Sequence, residues 1–394
     1  MRRLVALCVV CCSLVGLADV VPWRARTRSI PSTQAGDPAV FASPAGEPLI
    51  VGTDTAQIGL ELYDLDGGLV AVEVVGAMRS VDAVDDVLVG SAFVLQELKV
   101  FRRVAGGVAS ALEDVTNVST PGPLAIAPAA GGRYDVWVDD SSTSLRHVSL
   151  TRGDAGLWVA NVLGPVALGA PTAGLTVDRR SNRLYASLAS RGVVAIDDAG
   201  VRFIISIDAG TLGSVVGGID LVPLSSGGAL LFTTSPASDE VMVHELGPTG
   251  AVSARGAFSV GEADGGAGRV RLPNHLDVYA APLPGYPAGV LVLHDGVMAN
   301  YAVAALEDVA AAFTPPLPLG GAGGGGGGTG GGGGTGGGSG DGGSSVVVPD
   351  GGTGNVRPPP GSQQPPAGCG CGAPPLVTLP ALLVLWWIRR PRFS

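Results

Sequence analysis

Cys369 and Cys371 stand one glycine apart near the end of a 394-residue chain. Thiols at that spacing can chelate a metal, form a disulfide or be modified. Two sulfurs are half of a structural zinc site, and a bridge across a single residue is strained. The other cysteines, Cys8, Cys11 and Cys12, lie at the amino terminus, so the long stretch between offers no partner. The four histidines, His147, His244, His275 and His294, form no His-x-x-x-His spacing and read as scattered strand or turn residues. Serines are plentiful, but no Gly-x-Ser-x-Gly elbow presents a nucleophile. "GEADGGAG" at 261–268 is acidic and glycine-rich. It lacks the full calcium nonapeptide and reads as a loop.

Charge narrows the function classes. The formal net charge is -10, and Lys99 is the only lysine. An acidic chain with no basic stripe is a poor nucleic-acid binder, so no nucleic-acid partner is expected. The cysteine-free body can have neither a disulfide nor a cysteine-based zinc site, and its size allows a core without such staples.

The termini read as addresses. Arg2 and Arg3 precede an apolar run at 4–17, and Gly16 and Ala18 have the spacing of a signal-peptide cleavage site after Ala18. Residues 1–18 are therefore expected to direct export, with an uncleaved anchor as the alternative. Cys11 and Cys12 read as apolar filler.

The elements that would position any chemistry are strands. Short runs of Val, Leu, Ile, Tyr and Phe recur after residue 30, punctuated by Gly, Asp, Asn and Pro. "GLELYDLDGG" (59–68) predicts a strand ending in an Asp-Gly turn. "GLTVDRRSNRLYASLASRGVVAID" (174–197) predicts strand, turn, strand, turn, strand. "ALLFTTSPASDEVMVHEL" (229–246) predicts a hairpin, and "AGVLVLHDG" (288–296) a buried strand. "YAVAALEDVAAAF" (301–313) predicts one short helix. The fold class is all-β: sandwich, barrel or propeller. At roughly 45 residues per four-stranded blade, a body spanning 31–314 would make about six blades.

From residue 315 to 368 glycine and proline dominate, which predicts a flexible linker with a typical reach of roughly 40 Å. Residues 369–394 then combine the cysteines, an apolar run at 376–388, Trp386 and Trp387, and Arg389, Arg390 and Arg392. The run is short for a full span. Tryptophans suit the interface and arginines the cytoplasmic side.

Two resemblances follow from these residues. The Gly-Cys, short apolar run and terminal arginines resemble a MYXO-CTERM sorting signal. That resemblance implies a myxosortase-like sorting protease as partner, processing or lipid attachment at Cys369 or Cys371, and display at the cell surface or outer membrane. A plain tail anchor with the same topology is the alternative. The body resembles the β-propeller phytases over residues 36–312. The resemblance rests on Asp37-Pro38-Ala39-Val40, the 59–67 strand, Arg79-Ser80-Val81-Asp82, the 174–196 hairpin, 286–296 and 299–310. It implies a six-bladed propeller in which calcium ions and lysines or arginines hold phosphates.

The sequence departs from that family where the chemistry sits. Ala56 or Gln57 replaces a lysine, and Gly36 replaces the first residue of an Asp-Asp-Pro motif. Arg79 and Ser80 replace an asparagine pair, Val84 an arginine and Ala173 a glutamate. Leu188 and Ala189 replace paired glutamates. Residues 215–218, 233–236 and 272–275 replace three further loops. The resemblance therefore implies a phytase-like propeller without phytate hydrolysis, acting as a binding module for an extracellular ligand. The alternative is a divergent calcium-dependent phosphohydrolase. Asp37, Asp82, Asp178 and Asp295 do match. The family pattern makes Asp37 and Asp295 candidate ligands of one structural calcium, with ordinary turn carboxylates as the alternative.

Overall fold

The computed structural model describes residues 19–319, apart from 31–33, 45, 57–58, 111–114, 117, 119–120, 142, 154–157 and 263–267. The signal segment with Ala18, most of the 315–368 linker, and Cys369, Cys371 and the tail lie outside the described residues.

β1 (Asp19–Arg26) precedes a first sheet of β2 (Ala35–Phe41), β3 (Leu49–Asp54), β4 (Gly59–Tyr63) and β5 (Leu69–Val74). The second sheet holds β6 (Ser80–Val84), β7 (Val87–Ala92) and β8 (Glu97–Val104), with β9 (Gly107–Ser110) and β10 (Val115–Thr116) both on β8. The third is β11 (Leu124–Ala129), β12 (Arg133–Ser141), β13 (Ser144–Arg152) and β14 (Trp158–Ala167). The fourth is β15 (Thr172–Asp178), β16 (Arg183–Leu188), β17 (Gly192–Asp197) and β18 (Gly200–Ser206). The last is eight-stranded. It contains β19 (Ile219–Pro223), β20 (Ala229–Ser235), β21 (Glu240–Leu246) and β22 (Val252–Gly261), then β1, then β25 (Asn300–Ala305), β24 (Val290–Asp295) and β23 (Leu276–Tyr279).

Four sheets thus stand separately as blades of four or five strands. The sequence suggested about six separate blades, and β1 is the reason for the difference. Asp19 to Pro22 pair in parallel with β22, and Trp23 to Arg26 pair antiparallel with β25. Pro22 has no N–H to extend a ladder, and the strand changes partner at that point. β1 also lies ahead of residue 31, where the body was expected to begin.

The first strand of each unit packs beside the next: β2 by β6, β6 by β11, β11 by β15, β15 by β19, β19 by β23, and β23 again by β2. The sheets therefore form a closed ring, an all-β, propeller-like arrangement. The middle strands β3, β4, β7 and β24 are buried at every residue, so they lack the polar-outward alternation of a half-exposed strand. The outer strand β5 alternates between exposed and half-buried residues instead. Between the first two sheets Phe41, Leu60, Leu62, Met78 and Leu88 are buried, each worth about 1.5–3 kcal/mol relative to exposure.

The expected hairpins at 174–197 and 229–246 are β15–β16–β17 and β20–β21. The Asp-Gly turn after β4 forms as expected. The Asp64 carboxylate accepts the N–H groups of Asp66 and Gly68, and Gly67 takes a φ of 82°. The short helix expected over 301–313 is a correction. Its first half completes β25, and only Leu306–Ala311 (α1) is helical. β24 supplies a pairing edge for residues 300–305, and this outweighs the helical preference of alanine.

Candidate functional site

A cavity of about 970 Å³ runs along the ring, lined by β2, β6, β15, β19 and β23. Pro44, Ser225, Gly227 and Pro282 place its mouth among the loops that follow the inner strands. At the other end the backbones draw together. A Cβ on Gly218 would stand 2.7 Å from the Cα of His275, and one on Gly36 would stand 2.5 Å from Thr53 Oγ1. Glycine is the residue that permits such approach.

Five aspartates line this channel: Asp37, Asp82, Asp220 and Asp277, and Asp85, which accepts the Tyr134 hydroxyl at 2.9 Å. Three share one local pattern, an aspartate between apolar residues, in Val81-Asp82-Ala83, Ile219-Asp220-Leu221 and Leu276-Asp277-Val278. Each fastens its strand to the next one round the ring. Asp82 Oδ2 accepts the N–H of Ile126 at 2.9 Å, Asp220 Oδ2 that of Val278 at 2.7 Å, and Asp277 Oδ2 that of Val40 at 2.6 Å. Thr176 Oγ1 takes the corresponding place on β15 and donates to Asp220 Oδ1 at 2.6 Å. Asp37 accepts from Ser80 Oγ at 2.5 Å. Inner strands lack a ladder to one another, so side-chain clasps supply their backbone partners.

Crowding carboxyls away from water disfavours their charged forms. Burial pushes Asp37 up to about 8, and the neighbouring Asp82 and Asp220 add to the rise while Ser80 opposes it. Burial pushes Asp82 up to about 6, against the pull of Arg179 and the Ile126 N–H. Asp220 is raised by burial. Asp277 is raised well above the ordinary carboxyl range by burial and then by the charges of Asp220 and Asp82.

At the narrow end His275 Nδ1 lies 3.5 Å from Asp37 Oδ1. Burial, then His294 and Arg79, lowers His275 to about 3. Burial lowers His294 to about 4. The Asp37–His275 pair is therefore neutral in mild acid: a protonated carboxyl beside an uncharged imidazole.

Two arginines line the mouth, and both are engaged. Arg179, in the turn after β15, reaches across to β6, donating to the Ala83 carbonyl at 2.8 Å and standing 3.4 Å from Asp82 Oδ1. Arg180 donates to the carbonyls of Leu224 at 2.8 Å and Gly228 at 2.7 Å and pairs with Asp178.

The sequence-matched residues are divided by this geometry. Asp37 and Asp82 line the channel. Asp178 holds Arg180 and the Ser181 hydroxyl in its own turn. Asp295 closes the turn after β24, accepting the N–H groups of Val297 and Met298 through Oδ1 and pairing with Arg26 through Oδ2. A carboxylate with both oxygens so used and a guanidinium beside it does not fit a calcium ligand. Asp37 and Asp295 enter separate hydrogen-bond networks. No group of three or more His, Cys, Asp or Glu able to hold a metal occurs among the described residues.

His275 and His294, read from sequence as scattered, lie with ring centroids 5.8 Å apart. His147 stacks on Trp137 at 4.9 Å, and His244 is buried in β21. Leu188 is fully buried within its sheet. Sequence reasoning missed Asp220 and Asp277. The recurring apolar-Asp-apolar triplet was the signal that could have found them.

No protein-family model matches the chain, and no curated relative does. Solved structures of similar shape include a structural genomics protein of unknown function from Bacteroides thetaiotaomicron. It is 11% identical, with a TM-score of 0.49, over 73% of this chain and 75% of that one. BBS1N in complex with ARL6DN is 12% identical with a TM-score of 0.42, over 66% and 75% of the two chains. The nidogen/laminin complex is 16% identical with a TM-score of 0.41, over 58% and 81%.

Proposed function

We propose that this chain is an exported, surface-tethered, six-bladed propeller that binds an extracellular ligand and does not hydrolyse phytate. The six-blade reading treats the eight-stranded sheet as two blades bridged by β1. Six inner strands in the ring support it, as does the repeated clasp position on them.

One observation carries the binding reading. The channel presents five carboxyl groups, and its two arginines are tied to carbonyls and carboxylates of the chain itself. A polyphosphate needs free positive charge, and both arginines of the channel are already engaged. The carboxyls act as clasps between strands, a structural duty that leaves few oxygens for a cation.

The test is direct. The purified full-length chain is given calcium and phytate, and phosphate release is measured. No release is expected. Sustained turnover, abolished by a chelator, would overturn the reading in favour of a divergent calcium-dependent phosphohydrolase. In the proposed topology the 315–368 linker holds the propeller clear of the membrane, and Cys369 is the processed or lipid-bearing residue of a MYXO-CTERM-type signal.

A further inference from the structure

The end of the ring opposite the channel mouth carries the turns that follow the second strand of each sheet. Three of these turns have one shape. Residues 93–96, 236–239 and 296–299 each form a four-residue turn closed by a residue at positive φ: Gln96 at 57°, Asp239 at 59° and Ala299 at 50°. The second turn carries Ala237 and Ser238 at its tip. The first carries Val94 and Leu95, and the third Val297 and Met298. The shared shape shows that the turn itself does not require apolar tips, and small or polar residues are the usual choice.

Leu272 joins the third tip. Its φ of 49° is uncommon for a large side chain, and Asp239 Oδ1 holds its N–H at 2.8 Å. The Gly296 N–H donates to the Arg271 carbonyl at 2.9 Å, which sets Leu272 against Gly296, next to Val297. Val94, Leu95, Leu272, Val297 and Met298 are 47–64% exposed. Among the described residues, the mouth loops 42–48, 179–182, 224–228 and 280–289 expose no large apolar side chain.

Arginines stand between the two apolar tips. The units that carry the tips pack on either side of β2, through β6 and β23. Arg28 lies in the connection that enters the first sheet, and Arg79 in the one that leaves it. The Arg79 N–H donates to the Ser91 carbonyl at 2.8 Å, beside the first tip, and the Ile30 N–H to the Ala299 carbonyl at 2.8 Å, in the third turn. Arg79 is exposed, and its guanidinium makes no hydrogen bond or ion pair among the described residues. Arg28 and Arg271, with side chains 49% and 62% exposed, stand 3.6 Å from Glu61 and 3.8 Å from Asp239, beyond good hydrogen-bond distance.

Apolar tips on separate turns, with guanidinium groups between them, match a flat and deformable anionic surface. Apolar side chains sink into the headgroup boundary of a bilayer, and arginines take the phosphates. We propose that this end of the ring docks on a phospholipid bilayer that carries anionic headgroups. Val94, Leu95, Leu272, Val297 and Met298 enter the headgroup boundary, and Arg28, Arg79 and Arg271 meet phosphate. The docking goes beyond the binding-module reading and does not rest on what the channel holds.

The experiment is hydrogen exchange of the full-length chain, read by mass spectrometry. It is run alone, with phosphatidylcholine vesicles, and with vesicles that also contain phosphatidylglycerol. Exchange in 93–96 and 296–299 is expected to slow at least about tenfold on the anionic vesicles and less on the neutral ones, with the mouth loops 42–48 and 224–228 unchanged. Arg79→Gln is expected to cut the slowing about fivefold, the worth of one basic residue at an anionic bilayer surface. The combined variant Val94→Ser, Leu95→Ser, Val297→Ser and Met298→Ser is expected to abolish it. Exchange in β7 and β24 without vesicles shows that each variant is folded. The tail at 376–388 is present in every arm, so a difference between variants belongs to the tips.

The inference is overturned if the tips exchange equally fast with and without vesicles, if the mouth loops are slowed instead, if neutral vesicles act as strongly as anionic ones, or if the serine variant is slowed like the natural chain. Slowing at the tips without vesicles that grows with protein concentration would overturn it too, and would assign this face to a second copy of the chain. Calcium-dependent phosphate release from phytate would remove the binding-module reading and leave the docking as it stands.

Discussion

Replacing Asp37 by Asn should flatten the stability of the propeller between pH 6.5 and pH 8. Asp37 holds its proton up to about 8 in the folded chain, against an ordinary value of 3.8. A raised carboxyl is stabilising relative to the unfolded chain only while both states keep the proton. As pH rises past the ordinary value, the unfolded chain ionises and the folded one does not, so stability is lost until pH reaches the folded value. Each such proton changes stability by about 1.4 kcal/mol per pH unit.

The histidines act in the opposite sense. Lowered values of about 3 for His275 and about 4 for His294 mean that stability falls as pH drops below the ordinary 6.5. In mild acid the raised carboxyls and the two lowered histidines act against each other. Above pH 6.5 the imidazoles are neutral in both states and only the carboxyl effect remains. Over the 1.5 units from pH 6.5 to 8, Asp37 alone costs about 2 kcal/mol, and the raised Asp277 adds in the same direction. For a body of this size that is a fall in Tm of about 3 °C.

Thermal melts of the full-length chain at pH 5, 6.5 and 8, with a chelator present, measure this. The natural chain should melt lowest at pH 8. Asp37→Asn keeps an acceptor for Ser80 but cannot ionise, so its fall above pH 6.5 should be smaller by about 2 kcal/mol. A natural chain that gains stability from pH 6.5 to 8, or a variant with an unchanged slope, would refute the electrostatic account of the channel.

Two further outcomes are expected. Arg26→Ala strips the guanidinium from Asp295, whose side chain is 1% exposed, and should cost about 3–5 kcal/mol in urea unfolding; a loss under about 1 kcal/mol would show that the turn N–H groups alone satisfy the carboxylate. Mass spectrometry of the mature surface protein should find a carboxyl end at or near Cys369, and a chain still carrying Arg392 to Ser394 would count against processing there.

The strands were largely legible because their signals are local. In 174–197 the apolar runs, the Asn182 turn and the glycines predict three strands, and three strands form. The same locality misled at 301–313. Alanines and an acidic pair read as helix, but β24 stands ready to pair with residues 300–305, and no short window of sequence carries that fact. β1 is a second case: its eight residues give no sign that they will pair with both β22 and β25 in one sheet.

The candidate site lay further from reach. The sequence by itself determined that the body is all-β, acidic and free of cysteine, and that positions 188–189 carry no carboxylate. Only the tertiary structure decided which aspartates meet. Asp277 clasps Val40 from 237 residues away, and Asp82 clasps Ile126 from the neighbouring blade. Composition and period act along the chain, within a strand or a turn. A ring brings its first and last strands side by side, so the carboxyls that share one channel, and the values at which they ionise, depend on closure alone.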